Sequence, residues 1–298
     1  MRPHGTYSIV AFDPSTGELG AAVQSHWFSV GSLCAWARPG VGAVATQSVV
    51  EPAYGPDGLD RLASGASATE ALAGLLVADE LAAVRQVGIV DSAGRTAVHT
   101  GAGCIPCAGH QLGEDVSCQA NMMARDTVPA AMAAGFAAAG GDLADRLMAA
   151  LQAAEGEGGD VRGRQSAALV VVPPQGPPWR ARFELRVEDH RDPLAELGRL
   201  VLLGRAYELA GQADELLASD RATEAGRLYE HAAELAPESD ELLFWAGLAR
   251  AHSGDVEAGV TAVRRAAEVN PSWIVLLERL SPEFAPAGEG VRRELAAD

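Results

Sequence analysis

Apolar runs of strand length, bounded by turn residues, alternate along the first part of the chain with two pairs of segments that have helical character. The predicted strands are Thr6–Phe12, Glu18–Ser25, Val41–Ser48, Gln86–Asp91, Arg95–Thr100, Ser166–Val172 and Trp179–Val187. The predicted helices are Tyr54–Ala63, Ser67–Val77, Val128–Ala139 and Leu143–Ala154. Ser67 and Glu70 have the spacing of a capping box at the start of the second helix. Because strands and helices do not alternate one by one, the order argues against a doubly wound parallel sheet and favours two sheets covered by helix pairs.

After residue 190 the pattern is helical throughout, which predicts two domains, residues 1–190 and 191–298. Two segments of the second domain, Leu228–Pro237 and Ala262–Pro271, align at an offset of 34 residues. That spacing is the period of the tetratricopeptide repeat (TPR). Small residues occupy the positions where such helices pack closely, namely Ala225, Ala232, Gly259 and Ala266. The similarity covers about one and a half repeats, whereas about three repeats are needed for a stable repeat domain. We therefore expect this TPR-like helical hairpin domain to be stabilised by packing against the first domain or against a second subunit.

Composition and charge remove several classes of function. The chain has 298 residues, of which 48% are hydrophobic, and a formal net charge of −17. Such acidity argues against nucleic acid or an anionic membrane surface as a partner. All 23 basic residues are arginines, so a Schiff-base lysine, a Ser–Lys dyad and a P-loop lysine are excluded. No secretory signal or apolar run of membrane-spanning length is recognised, and we expect a cytoplasmic protein with reduced cysteines.

Several separated segments of the first domain resemble one known family. They include Thr6–Val10 (TYSIV), Ala22–Phe28 (AVQSHWF), Gly42–Ser48 (GAVATQS), Tyr54–Leu59 (YGPDGL), Gly101–Cys104 (GAGC), Asn121-Met122 and Gly159–Leu169 (GDVRGRQSAAL). Together they are similar to the domain of unknown function 1028, over roughly residues 6 to 190. That family is placed in the N-terminal-nucleophile (Ntn) hydrolase superfamily. The resemblance therefore implies an α/β fold of the four-layer αββα sandwich type, in agreement with the order of the predicted elements.

The resemblance also implies a nucleophile. In Ntn hydrolases a Thr, Ser or Cys at the mature N-terminus attacks an amide, and its own α-amine accepts the proton. An ordinary α-amine has a pKa of about 7.7–8.0, which suits a base at neutral pH. Thr6 opens the first strand and is the candidate nucleophile, and Gly5-Thr6 has the form of a self-cleaving junction. The mechanism requires removal of Met1–Gly5. The alternative is that Thr6 is only a β-branched residue that starts a strand.

The remaining candidates lie at strand ends and in one glycine-rich loop. Ser25 and His26 are candidate catalytic residues because Ntn sites place polar residues beside the nucleophile, and Asn121 offers a side-chain amide for an oxyanion hole. Candidate substrate-binding residues are Gln24, Thr46, Gln47, Ser48, Asp160, Arg162 and Ser166. Each has a structural alternative: His26 is a strand-end histidine, Asn121 forms a turn, and Arg162 pairs with Asp160 rather than with a substrate carboxylate.

Three hypotheses follow. The first is an amidohydrolase that cleaves a C–N bond in a small molecule or peptide, without cofactor or metal. The second is a catalytically inactive Ntn-fold protein that serves as an interaction or scaffold module and binds a protein partner through its TPR-like helices. The third is a zinc-dependent hydrolase at Cys104, Cys107 and His110, although no second cysteine pair stands at zinc-site spacing. A homodimer is the predicted assembly.

Overall fold

A computed structural model describes residues 5–219 and 221–297. The strands are β1 (Thr6–Phe12), β2 (Leu19–Ser25), β3 (Ala35–Arg38), β4 (Gly42–Ser48), β5 (Arg85–Asp91), β6 (Thr96–Thr100), β7 (Gly109–Gly113), β8 (Val116–Asn121), β9 (Ser166–Val172) and β10 (Phe183–Val187). The helices are α1 (Gly31–Cys34), α2 (Tyr54–Ala63), α3 (Ala68–Val77), α4 (Val128–Ala138), α5 (Leu143–Gly156), α6 (Pro193–Leu217), α7 (Ala222–Leu235), α8 (Asp240–His252), α9 (Val256–Val269), α10 (Ser272–Arg279) and α11 (Gly288–Ala297). The described residues thus form a mixed α/β protein.

The chain divides into two compact units after Arg199. The sequence pattern predicts a boundary after residue 190, before helix α6 begins, whereas the division falls within that helix. Among the helices of residues 5–219 and 221–297, none has the combination of length and apolar character needed to cross a bilayer.

The first unit contains two antiparallel sheets. The larger has the strand order β10-β9-β2-β1-β8-β7, and the smaller has the order β3-β4-β5-β6. Strands β1 and β2 are joined by a tight turn in which Asp13 Oδ1 accepts hydrogen bonds from the backbone N–H (2.9 Å) and hydroxyl (2.7 Å) of Ser15. Gly17 closes that turn with a φ of 74°, which glycine adopts at little cost. The turn fixes the register that places the start of β1 opposite the end of β2.

A helix pair covers the outer face of each sheet. Helices α2 and α3 pack on the smaller sheet through a core that includes Leu59 and Leu72 of the helices and Val44 and Ile89 of the strands. The predicted capping box at the start of α3 is confirmed. Helices α4 and α5 contact the larger sheet. Gly20 of β2 permits a close approach there, since a Cβ atom at this position would lie 2.7 Å from a methyl carbon of Leu147.

The inner faces of the two sheets meet in a layer that is apolar at one end and polar at the other. The apolar end contains Val10, Leu19, Ala21, Ala43, Ala45, Val90, Val170 and Val172. The polar end, which we call the inter-sheet network, consists of Ser8, Gln47, Gln86, Gln119 and Asn121. The Gln47 amide nitrogen donates to Gln86 Oε1 (2.8 Å) and to the Gln119 carbonyl (3.2 Å), and Gln47 Oε1 accepts from the Ser8 hydroxyl (2.6 Å). These bonds join the two sheets directly beneath the first residue of β1.

The predicted order of elements was incomplete. It lacks α1 and β3, and it lacks the hairpin formed by β7 and β8. The last strand, predicted for Trp179–Val187, begins only at Phe183, and Trp179 is 81% exposed. Strand β8 escapes detection because its inward positions Ser117, Gln119 and Asn121 are polar although they are fully buried. Hydrophobic alternation does not mark a strand whose buried face is polar.

The second unit is helical. Helices α7 (Ala222–Leu235) and α9 (Val256–Val269) are each 14 residues long, and both their first and their last residues are separated by the 34-residue offset seen in the sequence. Helices α8 and α9 cross closely at two glycines: a Cβ at Gly247 would lie 2.8 Å from the Gly259 carbonyl oxygen. Phe244 stacks on Trp273 with ring centroids 4.7 Å apart. Small residues at the crossing therefore allow the backbones to approach, and aromatic rings fill the core beside them.

Candidate active site

A row of polar residues crosses the larger sheet at one of its ends. Ser166 of β9 lies opposite Ser25 of β2, which lies opposite Thr6 of β1, which lies opposite Asn121 of β8. All four residues are fully buried. In antiparallel strands the end of one strand meets the start of its neighbour, so residues far apart in sequence become direct neighbours. The sheet thus brings the candidate nucleophile together with two predicted catalytic residues, Ser25 and Asn121.

The hydroxyl of Thr6 is connected to the carbonyl of the residue before it. Thr6 Oγ1 donates to Ser25 Oγ at 3.2 Å. Ser25 Oγ in turn donates a short hydrogen bond to the carbonyl oxygen of Gly5. A chain of two hydrogen bonds therefore runs from the Thr6 hydroxyl to the carbonyl oxygen of the Gly5–Thr6 peptide bond.

A cation also contacts this carbonyl. Nη2 of Arg162 donates to the Gly5 oxygen at 2.8 Å. The guanidinium is held by Asp160 through two parallel bonds, Nε to Oδ1 at 3.0 Å and Nη2 to Oδ2 at 2.7 Å. The Asp160 side chain is fully excluded from solvent, and the Arg162 side chain is 27% exposed. A bidentate pair in such a place is rigid and has little water to screen it, so Arg162 polarises the Gly5 carbonyl from a fixed position.

The loop between α5 and β9 creates this arrangement. Gly159 and Gly163 have φ values of 58° and 101°, in the left-handed region that glycine adopts readily. Asp160 is further anchored because its Oδ2 accepts the backbone N–H of His26 at 3.2 Å, and its Oδ1 accepts the backbone N–H of Arg162 at 2.9 Å. The ion pair between Arg162 and Asp160, which the sequence left as the alternative to carboxylate binding, is therefore present.

Asn121 occupies a different position from the one expected of an oxyanion donor. Its Nδ2 donates to Gln86 Oε1 at 3.1 Å and to the carbonyl of Thr6 at 3.4 Å, and Gln47 donates to the same Thr6 carbonyl at 3.1 Å. The donors of Asn121 thus face the Thr6 carbonyl and not the Gly5 carbonyl. Asn121 and Gln47 therefore hold the backbone of the candidate nucleophile Thr6, whereas Ser25 and Arg162 contact the Gly5 oxygen.

Gln24 lies on the opposite face of the sheet from Thr6. Side chains alternate along a strand, so Gln24 and its cross-strand neighbour Tyr7 point away from the inter-sheet layer. Burial, followed by the charge of Glu155 on α5, raises the pKa of the Tyr7 phenol, and burial raises the pKa of the Glu155 carboxyl. Gln24 therefore belongs to a buried polar group behind the sheet and does not line the candidate site, which corrects the sequence-based prediction.

Of three further predicted residues, Thr46 and Ser166 have hydrogen-bonded side chains, and Ser48 has an unusual backbone conformation. The Thr46 hydroxyl donates to the Glu51 carbonyl at 3.3 Å. The Ser166 hydroxyl donates to the Trp27 carbonyl and accepts the backbone N–H of Val30 at 3.0 Å, and so fastens the segment after β2. Ser48 ends β4 with a φ of 72°, an unusual conformation for a non-glycine residue. These residues shape the surroundings of the site, and none of their bonds involves Thr6 or Gly5.

His26 follows Ser25 and lies at the surface. Its backbone is anchored to Asp160, whereas its exposed ring places Nδ1 3.3 Å from the Arg164 carbonyl oxygen. It borders an open surface pocket of about 660 Å³. The pocket is lined by His26, Arg164, Gln165, Asp189, His190, Arg191 and Asp192. His26 is thus placed between the buried row and a solvent-filled recess.

Two residues of the zinc hypothesis, Cys104 and His110, contact other groups. The Cys104 thiol contacts the Arg85 carbonyl at 3.4 Å, and His110 Nδ1 lies 2.9 Å from the Thr100 hydroxyl. Within residues 5–219 and 221–297, no three side chains of His, Cys, Asp or Glu are arranged to hold a metal ion.

Sequence reasoning missed three features: the role of the Gly5 carbonyl, the residues Gln86 and Gln119 of the inter-sheet network, and Met122. Gln86 and Gln119 are fully buried in strand interiors. A glutamine in an otherwise apolar strand is a usable signal because a buried amide needs partners. Met122 has a φ of 61°, and its sulfur faces Gly5; nothing in the sequence indicates that backbone conformation.

Comparison with known proteins gives a family and a similar solved structure of a protein with the same family designation. The model of a family of unknown function, DUF1028, matches residues 6–197. The crystal structure of protein SPO2555 from Silicibacter pomeroyi, which carries the same family designation, is similar to this chain with a TM-score of 0.60 and 30% identity. That match covers 66% of this chain and 88% of the other. No curated protein matches the chain. The predicted resemblance to the DUF1028 family is confirmed, and the family match ends just before the division after Arg199.

Proposed function

Because the chain belongs to the DUF1028 family, whose function is unknown, we propose that its first unit is an Ntn-type amidohydrolase with Thr6 as nucleophile. The observation that carries this proposal is the environment of the Gly5 carbonyl. A hydroxyl and a guanidinium donate to its oxygen, and the hydroxyl of the next residue is bonded to the first of these donors. This is the arrangement of an oxyanion hole around the peptide bond that must be cleaved to expose the Thr6 amine.

The same groups provide a balanced route for self-cleavage. Thr6 Oγ1 bonds to the Gly5 carbonyl carbon, its proton passes to Ser25 Oγ, and the Ser25 proton passes to the Gly5 oxygen. The bond between the Gly5 carbon and the Thr6 nitrogen then breaks as the added proton moves to nitrogen. The product is an ester of Gly5 on Thr6 Oγ1 and a free α-amine, and water hydrolyses the ester. Arg162 stabilises the charge that develops on the Gly5 oxygen.

Turnover of an external amide uses the same atoms. The freed α-amine takes the proton of Thr6 Oγ1 as this oxygen attacks the substrate carbonyl, since the ordinary pKa of such an amine is about 7.7–8.0. Ser25 and Arg162 then donate to the substrate oxygen in place of the Gly5 oxygen. The chain contains no lysine to serve as an alternative base. The substrate is an amide of a small molecule or peptide, and no cofactor takes part.

The architecture supports this assignment. Helices α2 and α3, the smaller sheet, the larger sheet and helices α4 and α5 succeed one another as layers. We identify this order with the four-layer αββα sandwich of Ntn hydrolases. Thr6 then has the position that the nucleophile needs, at the start of a central strand of the larger sheet.

A second candidate function is supported by the helical unit. The matching lengths and 34-residue offset of α7 and α9, together with the close crossing of Gly247 and Gly259, favour a TPR-like segment. In this alternative the first unit is catalytically inactive, and the chain acts as a scaffold that binds a protein partner or forms a homodimer through these helices.

Substitution of Thr6 separates the two functions. The purified chain is incubated at pH 7.5, and its intact mass is followed with time. We expect loss of Met1–Gly5 in the unaltered protein and in Thr6→Ser, which keeps a hydroxyl, and no loss in Thr6→Ala. Thr46→Ala is the matched control, because it removes a buried threonine hydroxyl that bonds only outside the site. A chain whose mass never changes in any variant favours the scaffold.

A further inference from the structure

The acyl side of the candidate site has almost no room beside Gly5. A Cβ atom built on Gly5 in the L configuration would lie 2.8 Å from Arg162 Nη2 and 2.9 Å from Asp160 Oδ2. It would also lie 3.0 Å from the sulfur of Met122. Carbon atoms do not pack at such distances without displacement of their neighbours. The space beside the acyl carbon therefore fits hydrogen and not a side chain.

Two of these three neighbours are not free to move. Asp160 accepts four hydrogen bonds, three from Arg162 and one from His26. Arg162 is tied both to Asp160 and to the Gly5 oxygen. A methyl group on Gly5 would thus push the guanidinium away from the oxygen that it polarises. The steric clash and the loss of electrostatic stabilisation occur together.

Met122 forms the third wall and is the adaptable one. Its backbone is fixed, since its N–H donates to the Ile105 carbonyl and its carbonyl accepts the Val161 N–H, both at 3.2 Å. Its side chain has rotatable bonds, so a shorter residue here would open space without touching the ion pair. Met122 therefore limits the size of the acyl group.

The Arg162–Asp160 pair also determines which charge the subsite accepts. The guanidinium is matched by a fully buried carboxylate, so the subsite carries no net charge toward an acyl group. This removes the basis for an acidic substrate, which an unpaired Arg162 would have favoured.

We propose that the acyl subsite beside Thr6 selects amides whose carbonyl is attached to an unsubstituted methylene, such as glycyl amides, and excludes L-aminoacyl groups that bear a side chain. This inference rests on the proposed function, because the ester formed on Thr6 Oγ1 during self-cleavage and the acyl-enzyme formed from a substrate are the same kind of species. Gly5 is the acyl group that the protein itself supplies.

The first test follows self-cleavage by intact mass in variants of residue 5. We expect Gly5→Ala to be roughly tenfold to hundredfold slower than the unaltered chain, as overpacking of a fixed site predicts. The double variant Gly5→Ala/Met122→Ala should recover part of the rate. Gly140→Ala is the control for a glycine-to-alanine change, since nothing lies within 4 Å of a Cβ at that position; its rate should not change. Thermal melting checks that each variant is folded.

The outcomes are separable. Cleavage of Gly5→Ala at the unaltered rate overturns the subsite and leaves the proposed function standing. Failure of the unaltered chain to cleave removes both. A second measurement compares phenyl esters of N-acetylglycine and N-acetyl-L-alanine on a chain that begins at Thr6, with Thr6→Ala as background. A rate at least tenfold higher for the glycine ester supports the inference, whereas equal rates, or rates at background, contradict it.

Discussion

Replacement of Arg162 by glutamine tests the electrostatic part of the site. The side chain donates to the Gly5 oxygen at 2.8 Å and is largely shielded from water, so it acts on the carbonyl in a medium of low dielectric constant. Loss of one oxyanion donor lowers rates by roughly a hundredfold to a thousandfold in related chemistry. Glutamine is too short to reach the carbonyl while also pairing with Asp160, and we expect self-cleavage to slow by about that factor.

The substitution also has a structural cost that must be separated from the chemical one. It leaves the fully buried Asp160 carboxylate without its counter-charge, and breaking a buried pair on one side costs about 3–5 kcal/mol. The double variant Arg162→Gln/Asp160→Asn removes both charges and should recover part of that stability, because no unpaired charge remains buried. Recovery is incomplete because the backbone N–H groups of His26 and Arg162 donate to different Asp160 oxygens, and an amide offers only one oxygen. The double variant should not recover the cleavage rate.

The assay combines two measurements on each variant. Intact mass gives the rate of loss of Met1–Gly5, and urea denaturation gives the free energy of unfolding. The expected pattern is a single variant that is slow and unstable and a double variant that is equally slow but more stable than the single one. A double variant that is folded and cleaves within threefold of the unaltered rate would refute the role of Arg162.

Three predictions concern stability. Gln47→Leu removes the donor of three buried carbonyl oxygens and the acceptor of one hydroxyl. We expect the free energy of unfolding, measured by urea titration, to fall by roughly 2–4 kcal/mol. A loss below about 1 kcal/mol would contradict the stabilising role of the inter-sheet network. The hydrogen bond from Arg85 lowers the pKa of Asp79 from 3.8 to about 2. The ionised Asp79 carboxylate therefore adds at most about 2 kcal/mol to the free energy of unfolding. This stabilisation is present above pH 4 and disappears as pH falls toward 2. Asp79→Asn should therefore destabilise at pH 7 but hardly at pH 2, and equal losses at both pH values would disprove this. Gly247→Ala meets the Gly259 carbonyl at 2.8 Å and should cost about 1–3 kcal/mol, seen as a lower melting temperature of the second unit; an unchanged melting curve refutes the close crossing.

The parts of the fold that the sequence predicts are those with a single dominant pattern. Strand β1 and helix α2 begin and end at the predicted residues, and so does strand β9, whose continuous apolar run is typical of a buried strand. Most of their buried positions are apolar, so hydrophobicity marks them even though β1 and β9 also carry a few buried polar residues, such as Ser8 and Ser166. Strand β3 has four residues of intermediate burial, and so short an edge strand carries too few positions to show a period.

The candidate site was predictable in part, because some of its residues lie at the ends of strands that sequence patterns locate. Thr6 and Ser25 lie at strand ends, which sequence patterns locate well, and the sheet register makes them neighbours. The opposite orientation of Gln24 follows from alternation once the register is known. The contact between Arg162 and Gly5 spans more than 150 residues and depends on a loop with left-handed glycines. No local pattern encodes such a contact.

The most direct test of the central claim is to trap the ester that links Gly5 to Thr6 Oγ1. The chain is incubated with hydroxylamine, which attacks esters far faster than amides, and the released peptide is analysed by mass spectrometry. We predict release of Met1–Gly5 as a hydroxamate from the unaltered chain, faster than its release by water, and no release from Thr6→Ala. An intact chain in hydroxylamine, or release of the same peptide from Thr6→Ala, would contradict attack by the Thr6 hydroxyl.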